Sequence, residues 1–159
     1  MHRIGVTGHR SIPPAAHAHV YEGLREALRG AGEPLEALSS LAVGADQIFA
    51  GLALARGARL TAVIPSDDYE KCFEQEADLT RYRMLKSLAG REVRLDFPHS
   101  TDEAYYAAGT WIADHCDLLV AVWDGLSARG LGGTGDIVAY ARTLGRPVTV
   151  IWREGVRRD

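Results

Sequence analysis

The sequence lacks most of the features that mark secreted, membrane-bound and metal-binding proteins. It has two cysteines, Cys72 and Cys116, which fall in predicted helices without metal-ligand spacing and are typical of reduced thiols in the cytoplasm. No apolar run approaches the roughly 20 residues of a membrane-spanning helix. The N-terminus leads directly into strand-like sequence, without the basic and then apolar pattern of a signal peptide. We therefore expect a cytoplasmic protein with no bound metal and no contact with a membrane.

An excess of positive charge is also lacking. The 159 residues carry a formal net charge of −3, with 25% charged and 47% hydrophobic residues. Non-specific nucleic-acid binding depends on electrostatic attraction to phosphates, which this composition does not provide. We therefore expect nucleic acid not to be a partner unless a local basic patch exists. The length and composition are typical of one globular domain spanning residues 1–159.

Standard motifs of phosphate binding and nucleophilic catalysis are missing. Gly-x-Gly-x-x-Gly does not follow the first predicted strand, and the chain contains neither Gly-x-x-x-x-Gly-Lys-Ser/Thr nor Gly-x-Ser-x-Gly. These absences argue against an ordinary dinucleotide-binding domain, a P-loop protein and an α/β-hydrolase. Any phosphate site in this chain must use a different turn.

The chain does contain a glycine-rich turn, Gly130-Leu131-Gly132-Gly133-Thr134-Gly135-Asp136. The apolar run 117–123 before it predicts a buried strand, and apolar residues after it recur at helical spacing. Glycines at a strand-to-helix turn expose backbone N–H groups at the positive end of a helix, which attracts anions such as phosphate. Thr134 adds a hydroxyl donor. A structural loop followed by a helix N-cap explains the same residues equally well.

Hydrophobic periodicity predicts strands alternating with helices along the whole chain. The predicted strands are 3–7, 35–43, 60–64, 93–97, 117–123 and 147–152, and the predicted helices include 70–88 and 102–115. Several of the strands are continuous apolar runs, as expected for strands covered on both faces. The pattern predicts an α/β fold, a doubly wound and mostly parallel sheet of about six strands with helices on both faces. Residues 153–159 are expected to form a frayed, charged tail.

Candidate ligand-binding groups follow the first two strands, at the sheet edge where doubly wound folds bind ligands. In Thr7-Gly8-His9-Arg10, the Arg10 guanidinium suits a phosphate or carboxylate, and His9 could donate to the same group. A surface turn with Arg10 in solvent is the alternative. In Gly44-Ala45-Asp46, the glycine allows close approach, and Asp46 either caps the next helix or binds a ribose hydroxyl. Capping is favoured, because aspartate is a preferred N-cap.

Two aromatic residues flank the glycine turn. Trp123 precedes it and Tyr140 follows it, and either ring could stack on a nucleotide base. Both also lie at core-like spacing. Core packing is favoured for Tyr140, and the spacing leaves Trp123 open.

Together these segments resemble the SLOG superfamily. This Rossmann-like group includes the DNA-processing protein A domain, the YpsA-like proteins and the LOG enzymes. The segments that carry the resemblance are Val6–Arg10, Ser40–Asp46 and Thr61–Pro65, and those most like the YpsA branch are Tyr105-Tyr106, Asp114, Asp117–Gly125 and Gly132–Thr134. The resemblance runs from roughly Ile4 to Ile151. It implies a nucleotide or nucleotide-derived ligand across the strand ends, with its phosphate at Gly8 and at Gly132–Gly135.

The chain departs from the enzymes of this group at their catalytic carboxylate. The glutamate of LOG enzymes corresponds to Ala139, and that of the nucleoside deoxyribosyltransferases to Ile137. Cleavage of an N-glycosidic bond needs a carboxylate near the sugar carbon. Asp136 and Asp46 are the remaining candidates.

We therefore expect a nucleotide-binding or sensing module that carries no resident cofactor. An N-glycosidase using Asp136 or Asp46 is the alternative, and a DNA-handling module is a third possibility. A homodimer is expected, since Rossmann-like domains of this size often pair through a helix face. The residues expected to bind the ligand are Thr7, Gly8, His9, Arg10, Gly44, Ala45, Asp46, Pro65, Trp123, Gly132, Gly133, Thr134, Gly135 and Asp136.

Overall fold

The structure is a computed structural model that describes residues 2–128 and 130–158. Asp159, the end of the expected charged tail, lies outside the described residues. The strands are β1 His2–Gly8, β2 Leu35–Ser39, β3 Arg59–Ile64, β4 Arg91–Arg94, β5 Leu118–Val122 and β6 Val148–Ile151. The helices are α1 Pro14–Arg29, α2 Ala45–Ala55, α3 Glu76–Leu88, α4 Asp102–His115 and α5 Thr134–Thr143.

The six strands form one parallel sheet in the order β4-β3-β2-β1-β5-β6. Two apolar clusters cover its faces: one includes Leu24 of α1 and Phe49 of α2, and the other includes Ile112 of α4 and Ile137 of α5. The predicted doubly wound α/β sheet is therefore confirmed. The strand order reverses between β1 and β5, and such a switch point is where ligands bind in sheets of this kind.

The predicted helix 70–88 is wrong in its first part. Tyr69–Cys72 forms a short 3₁₀ turn, and Phe73 is extended before α3 begins at Glu76. The interruption lets the Phe73 ring pack 5.5 Å from Tyr69 and 4.8 Å from Tyr82, centroid to centroid. Aromatic packing of this kind outweighs helix propensity, which is a weak local preference.

Strand β2 ends at Ser39, earlier than the predicted 43. Ser39 Oγ accepts a hydrogen bond from the Leu41 N–H at 3.1 Å and donates to the Asp46 carbonyl oxygen at 3.1 Å. Leu41 then takes a φ of 60°, a left-handed conformation that interrupts the strand. The serine therefore ends the pairing and brings the chain over the sheet edge toward α2.

A buried glutamate lies within β2. Glu36 is 3% exposed, and its carboxylate accepts hydrogen bonds from Thr61 Oγ1 at 2.8 Å and Arg3 Nε at 3.1 Å. A buried charge is tolerated only when it is paired in this way. These bonds connect β1, β2 and β3 side by side.

Replacing Thr61 with valine is expected to lower the free energy of unfolding by about 1–3 kcal/mol, because Glu36 loses a buried donor without a change of shape. Urea unfolding followed by circular dichroism measures the change. Thr149→Val, at an exposed position in β6, is the matched control and should change stability by about 0.5 kcal/mol at most. Equal effects of the two variants would contradict the importance of the Glu36 bond.

Cys72 and Cys116 are free thiols, and burial raises the pKa of Cys116 to about 11. Within residues 2–128 and 130–158, no helix has both the length and the apolarity to cross a membrane.

Candidate functional site

A cleft of about 490 Å³ opens at the carboxyl end of β1, beside the switch point. Its walls come from the β1–α1 loop, the start of α2, the residues after β3, helix α4 and the glycine turn before α5. The volume lies within the range of about 300–1,000 Å³ that is typical of small-molecule sites.

The structure brings most of the sequence-predicted residues together in this cleft. Those lining it are Thr7, Gly8, His9, Arg10, Asp46, Pro65, Gly132, Gly133 and Thr134. Those outside the lining are Gly44, Ala45, Trp123, Gly135 and Asp136. Residues that follow four strands, β1, β2, β3 and β5, therefore contribute to one cleft.

Gly44 lies directly against the backbone of the loop that follows β1. Its φ is +87°, and a Cβ at this position would lie 2.6 Å from the His9 carbonyl oxygen and still closer to that of Arg10. The next residue, Ala45, donates its N–H to the His9 carbonyl oxygen at 3.2 Å. Gly44 thus lets the loop after β2 contact the loop after β1. This contact fixes the position of the loop after β1, which is called the β1 loop below.

The glycine turn packs tightly on α4. Gly132 has a φ of +89°, and a Cβ there would lie 2.7 Å from the Tyr106 nitrogen. Its N–H donates to Asp136 Oδ2 at 3.2 Å, so the Asp136 carboxylate stabilises the turn from outside the cleft. Gly133 and the buried Thr134 line the cleft at the first turn of α5. The amide groups of such a turn lack intrahelical acceptors and attract anions.

Neither aromatic residue that flanks the turn lines the cleft. Trp123 donates its Nε1–H to the Leu126 carbonyl oxygen at 2.8 Å. Tyr140 donates its hydroxyl to Asp114 at 2.7 Å, and its ring lies 6.3 Å from that of Tyr106. Tyr140 therefore packs against the apolar cluster of α4 and α5, whereas Trp123 belongs to neither apolar cluster.

Arg10 stands over an aromatic ring at the cleft wall. Its Cζ lies 4.9 Å from the centroid of Tyr105, a distance suited to a cation–π contact. Burial lowers the pKa of the guanidinium, but Tyr105, followed by Tyr69 and Asp46, raises it by more, so the net shift is upward. Arg10 therefore stays positively charged, and it lines the cleft although the residue as a whole is exposed.

Asp46 is a buried carboxyl group in the cleft, 9% exposed. The prediction that it caps α2 is wrong: the N-cap is Gly44, and no side chain caps the helix. Burial raises the pKa of Asp46 to about 7, against the opposing effects of the Ala42 N–H and the Arg10 charge. A carboxyl group that titrates near neutral pH within a cleft is typical of functional sites.

The expectation of a frayed tail is wrong for the described part of 153–159. Arg158 lines the cleft, and its Nη1 lies 2.9 Å from Nδ1 of His9, while its Nε lies 3.3 Å from Oδ2 of Asp124. His9 Nε2 in turn lies 3.3 Å from Asp124 Oδ1. These side chains form a closed ring at the floor of the β1 loop.

Two contacts of His9 require opposite tautomers of its ring. A guanidinium has no acceptor, so the Arg158 contact requires an unprotonated Nδ1 and places the proton on Nε2, facing the Asp124 carboxylate. The 3.0 Å contact from the Asp124 N–H to Nε2 needs the opposite tautomer. We favour the first, because the second would set an N–H against the Arg158 cation.

Burial raises the pKa of Asp124, but the Leu126 N–H, His9 and Arg158 lower it by more.

Several lining residues were not among those expected. Tyr69 and Tyr105 form an aromatic wall, Asp102 lies at the start of α4, and Arg158 comes from the end of the chain. The resemblance to YpsA-like proteins included Tyr105, but assigned it no role. Tyr69 directly precedes the predicted helix 70–88 and carries no signal of its own. No local pattern distinguishes Arg158 from Arg157.

The solved structures that share this architecture include DNA processing protein A from Streptococcus pneumoniae and from Helicobacter pylori. The first matches 94% of this chain at 19% identity with a TM-score of 0.67. The second, described with a single-stranded DNA binding mode, matches 99% at 16% identity with a TM-score of 0.69. A molybdenum cofactor binding protein from Rippkaea orientalis matches 94% at 17% identity with a TM-score of 0.59.

The matched region makes up 50% of the Streptococcus pneumoniae chain, 68% of the Helicobacter pylori chain and 75% of the Rippkaea orientalis chain. This chain therefore spans half the length of the first of these proteins. No family model matches it, and no curated protein sequence does. The structural likenesses show the fold alone: the chain shares with these proteins a Rossmann-like α/β architecture built on a parallel sheet.

Proposed function

We propose that this SLOG-type fold binds a nucleotide or a nucleotide-derived ligand, and that it acts as a binding or sensing module in the cytoplasm. The observation that carries the proposal is the placement of the Arg10 cation in the same cleft as the first turn of α5, at the switch point of the sheet. Two independent attractions for an anion, a guanidinium and a helix N-terminus, thus converge on one space.

The lining divides into parts that suit the parts of a nucleotide. Gly8, Arg10 and the Gly133–Thr134 turn suit the phosphate. Tyr69, Ile112 and Ile137 supply aromatic and apolar surface for the base. Asp46 supplies a carboxyl group for a ribose hydroxyl. Of the two roles considered for Asp46, this is the one left, since its side chain does not cap α2.

Thermal unfolding with a panel of nucleotides, each mixture being analysed afterwards by chromatography, tests the proposal. A ligand at 100 times its dissociation constant stabilises the folded state by about 2.7 kcal/mol. Stabilisation with the ligand intact supports a binding module. No stabilisation by any nucleotide would refute it.

Arg10→Gln is expected to weaken nucleotide binding by about tenfold to a hundredfold, because a charge-assisted hydrogen bond to the phosphate is lost. Titration calorimetry measures the change. Arg25→Gln is the control, because Arg25 likewise stands over a tyrosine ring, Tyr21, at 5.5 Å, but does not line the cleft. Equal affinity of the two variants would exclude Arg10 from the site.

A second candidate function is hydrolysis of an N-glycosidic bond, and the placement of Asp46 favours it. This carboxyl group lines the cleft with a pKa raised to about 7, close to the value that suits general acid–base catalysis. Asp136, the other candidate, lies outside the lining. Release of free base during the nucleotide panel, abolished in Asp46→Asn, would establish the enzyme over the binding module.

Nucleic acid is a third candidate ligand. The expectation that nucleic acid is not a partner depended on the net charge of −3. The fold does not support this expectation, since one similar structure is described with a single-stranded DNA binding mode. Binding of an oligonucleotide that weakens steeply with salt would identify this class. The expected homodimer stays a prediction, which sedimentation of the full chain tests.

A further inference from the structure

We infer that Arg158 is a ligand-binding residue, carried into the cleft by the segment 153–158 and held there by His9 and Asp124 until it donates to the phosphate of the ligand. The inference depends on the proposed nucleotide site, and extends it with a second guanidinium from the opposite end of the chain. The ligand class it indicates is a phosphate monoester, which offers more than one anionic oxygen.

The segment 153–158 follows a defined path from β6 back to the start of the chain. Trp152 donates its Nε1–H to the Val156 carbonyl oxygen at 2.8 Å, and Arg153 Nη1 donates to the Ala15 carbonyl oxygen at 2.9 Å. The Trp152 ring packs edge-on against His9, with centroids 5.3 Å apart. These contacts direct the segment over the β1 loop and deliver Arg158 to the cleft.

The contacts of Arg158 leave part of its hydrogen-bonding capacity unused. Its side chain is only 12% exposed, and its Nε faces Oδ2 of Asp124 at 3.3 Å as an ion pair, yet these two buried atoms are not in hydrogen-bonding geometry. Among residues 2–128 and 130–158, no hydrogen bond uses its Nη2. Buried polar groups are seldom left unsatisfied in this way, and each such case requires an explanation.

A phosphate at the cleft provides that explanation. A guanidinium presents its donors as a planar fork that matches two phosphate oxygens, whereas Asp124 meets this fork without hydrogen-bonding geometry. The nearby Arg10 adds a second cation at the same cleft. We therefore expect the phosphate to take over the donors of Arg158, while His9 keeps its Nη1 in place.

Titration calorimetry with AMP and GMP, and with adenosine and guanosine as uncharged probes, tests this inference. Arg158→Gln is expected to weaken nucleotide binding by about tenfold or more while nucleoside binding stays within about twofold. Arg157→Gln, at the exposed neighbouring position, is the control with the same change of charge. Arg158→Lys should restore part of the affinity, because the cation remains although the fork is lost.

Limited trypsin digestion gives a second measurement, since cleavage follows arginine residues and the segment contains three of them. AMP should slow cleavage within 153–158 in the wild-type protein and in Arg157→Gln, and should have no such effect in Arg158→Gln. If Arg158 were a structural tether alone, Arg158→Gln would be less stable and would lose affinity equally for nucleotide and nucleoside.

The outcomes separate the inference from the proposed function. If the wild-type protein binds AMP or GMP and Arg158→Gln binds it as well as Arg157→Gln does, the inference is wrong and the nucleotide site stands. Equal losses for nucleotide and nucleoside also overturn it. If the wild-type protein binds none of the probes, the proposed function and this inference are both wrong.

Discussion

Gly44→Ala is expected to lower the free energy of unfolding by more than about 3 kcal/mol and to abolish ligand binding. Gly44 combines a φ of 87° with a ψ of −127°, a conformation outside the left-handed helical region that costs other residues about 1–3 kcal/mol, and the added Cβ would meet the carbonyl groups of His9 and Arg10. Backbone atoms cannot move aside as a flexible side chain does, so overpacking adds about 1–3 kcal/mol more. Against a typical total stability of about 5–15 kcal/mol, this loss is severe. Chemical unfolding followed by circular dichroism measures it.

Two other glycines separate the contributions to this effect. Gly57 also has a φ of +87°, with open space around it, so Gly57→Ala reports the cost of a positive φ without any steric contact. Gly51 lies within α2, also with open space, and Gly51→Ala should stabilise by up to about 1 kcal/mol. If Gly44→Ala lowers the free energy of unfolding no more than Gly57→Ala does, then the close contact between Gly44 and the backbone of His9 and Arg10 is not important for stability.

Asp46→Asn is expected to stabilise the protein at pH 8 by roughly 2–4 kcal/mol. The pKa of Asp46 rises from 3.8 to about 7 on folding, chiefly through burial, and a shift of this size corresponds to about 4 kcal/mol at most. Between these values the folded state binds more protons than the unfolded state, so the stability of the wild-type protein falls as the pH rises from about 4 to about 7. Asparagine carries no charge, so the variant avoids the cost of burying a carboxylate. Its side-chain oxygen can still accept a hydrogen bond from the Ala42 N–H.

Unfolding by urea across pH 3.5 to 8.5 measures this prediction. The difference between Asp46→Asn and the wild-type protein should be close to zero below about pH 4 and should reach its maximum above about pH 7. Asp67→Asn, at an exposed position, controls for the loss of one negative charge. A difference that is constant with pH would show that Asp46 does not titrate as described. Stabilisation together with loss of function would be the usual trade-off at a functional site.

The sheet was predictable because its signals are local. Continuous apolar runs such as β5 report burial on both faces, and the predicted α4 boundaries, 102–115, coincide with those observed. The 70–88 helix was not predictable, because its interruption depends on contacts between Phe73 and the rings of Tyr69 and Tyr82. Local propensity cannot report such contacts.

The same distinction applies to the candidate site. Arg10 and the glycine turn were identifiable as candidates because each follows a predicted strand, although the sequence also allowed a surface turn for Arg10 and a structural loop for the glycines. The contact of Gly44 with the loop after β1 was not predictable, since that loop is more than 30 residues away in sequence. Arg158 lacks any local signal, because only the path of the segment 153–158 brings it to His9.

The His9–Arg158 contact joins residues 149 positions apart, and this separation sets the order in which the domain can mature during synthesis. A nascent chain that has reached Ile151 contains every strand of the sheet but still lacks the final guanidinium. Domains fold as units while the ribosome is still adding residues, and contacts of long sequence separation form late. The sheet can therefore assemble first, and the cleft acquires the charge of Arg158 only after residues 152–158 have been added.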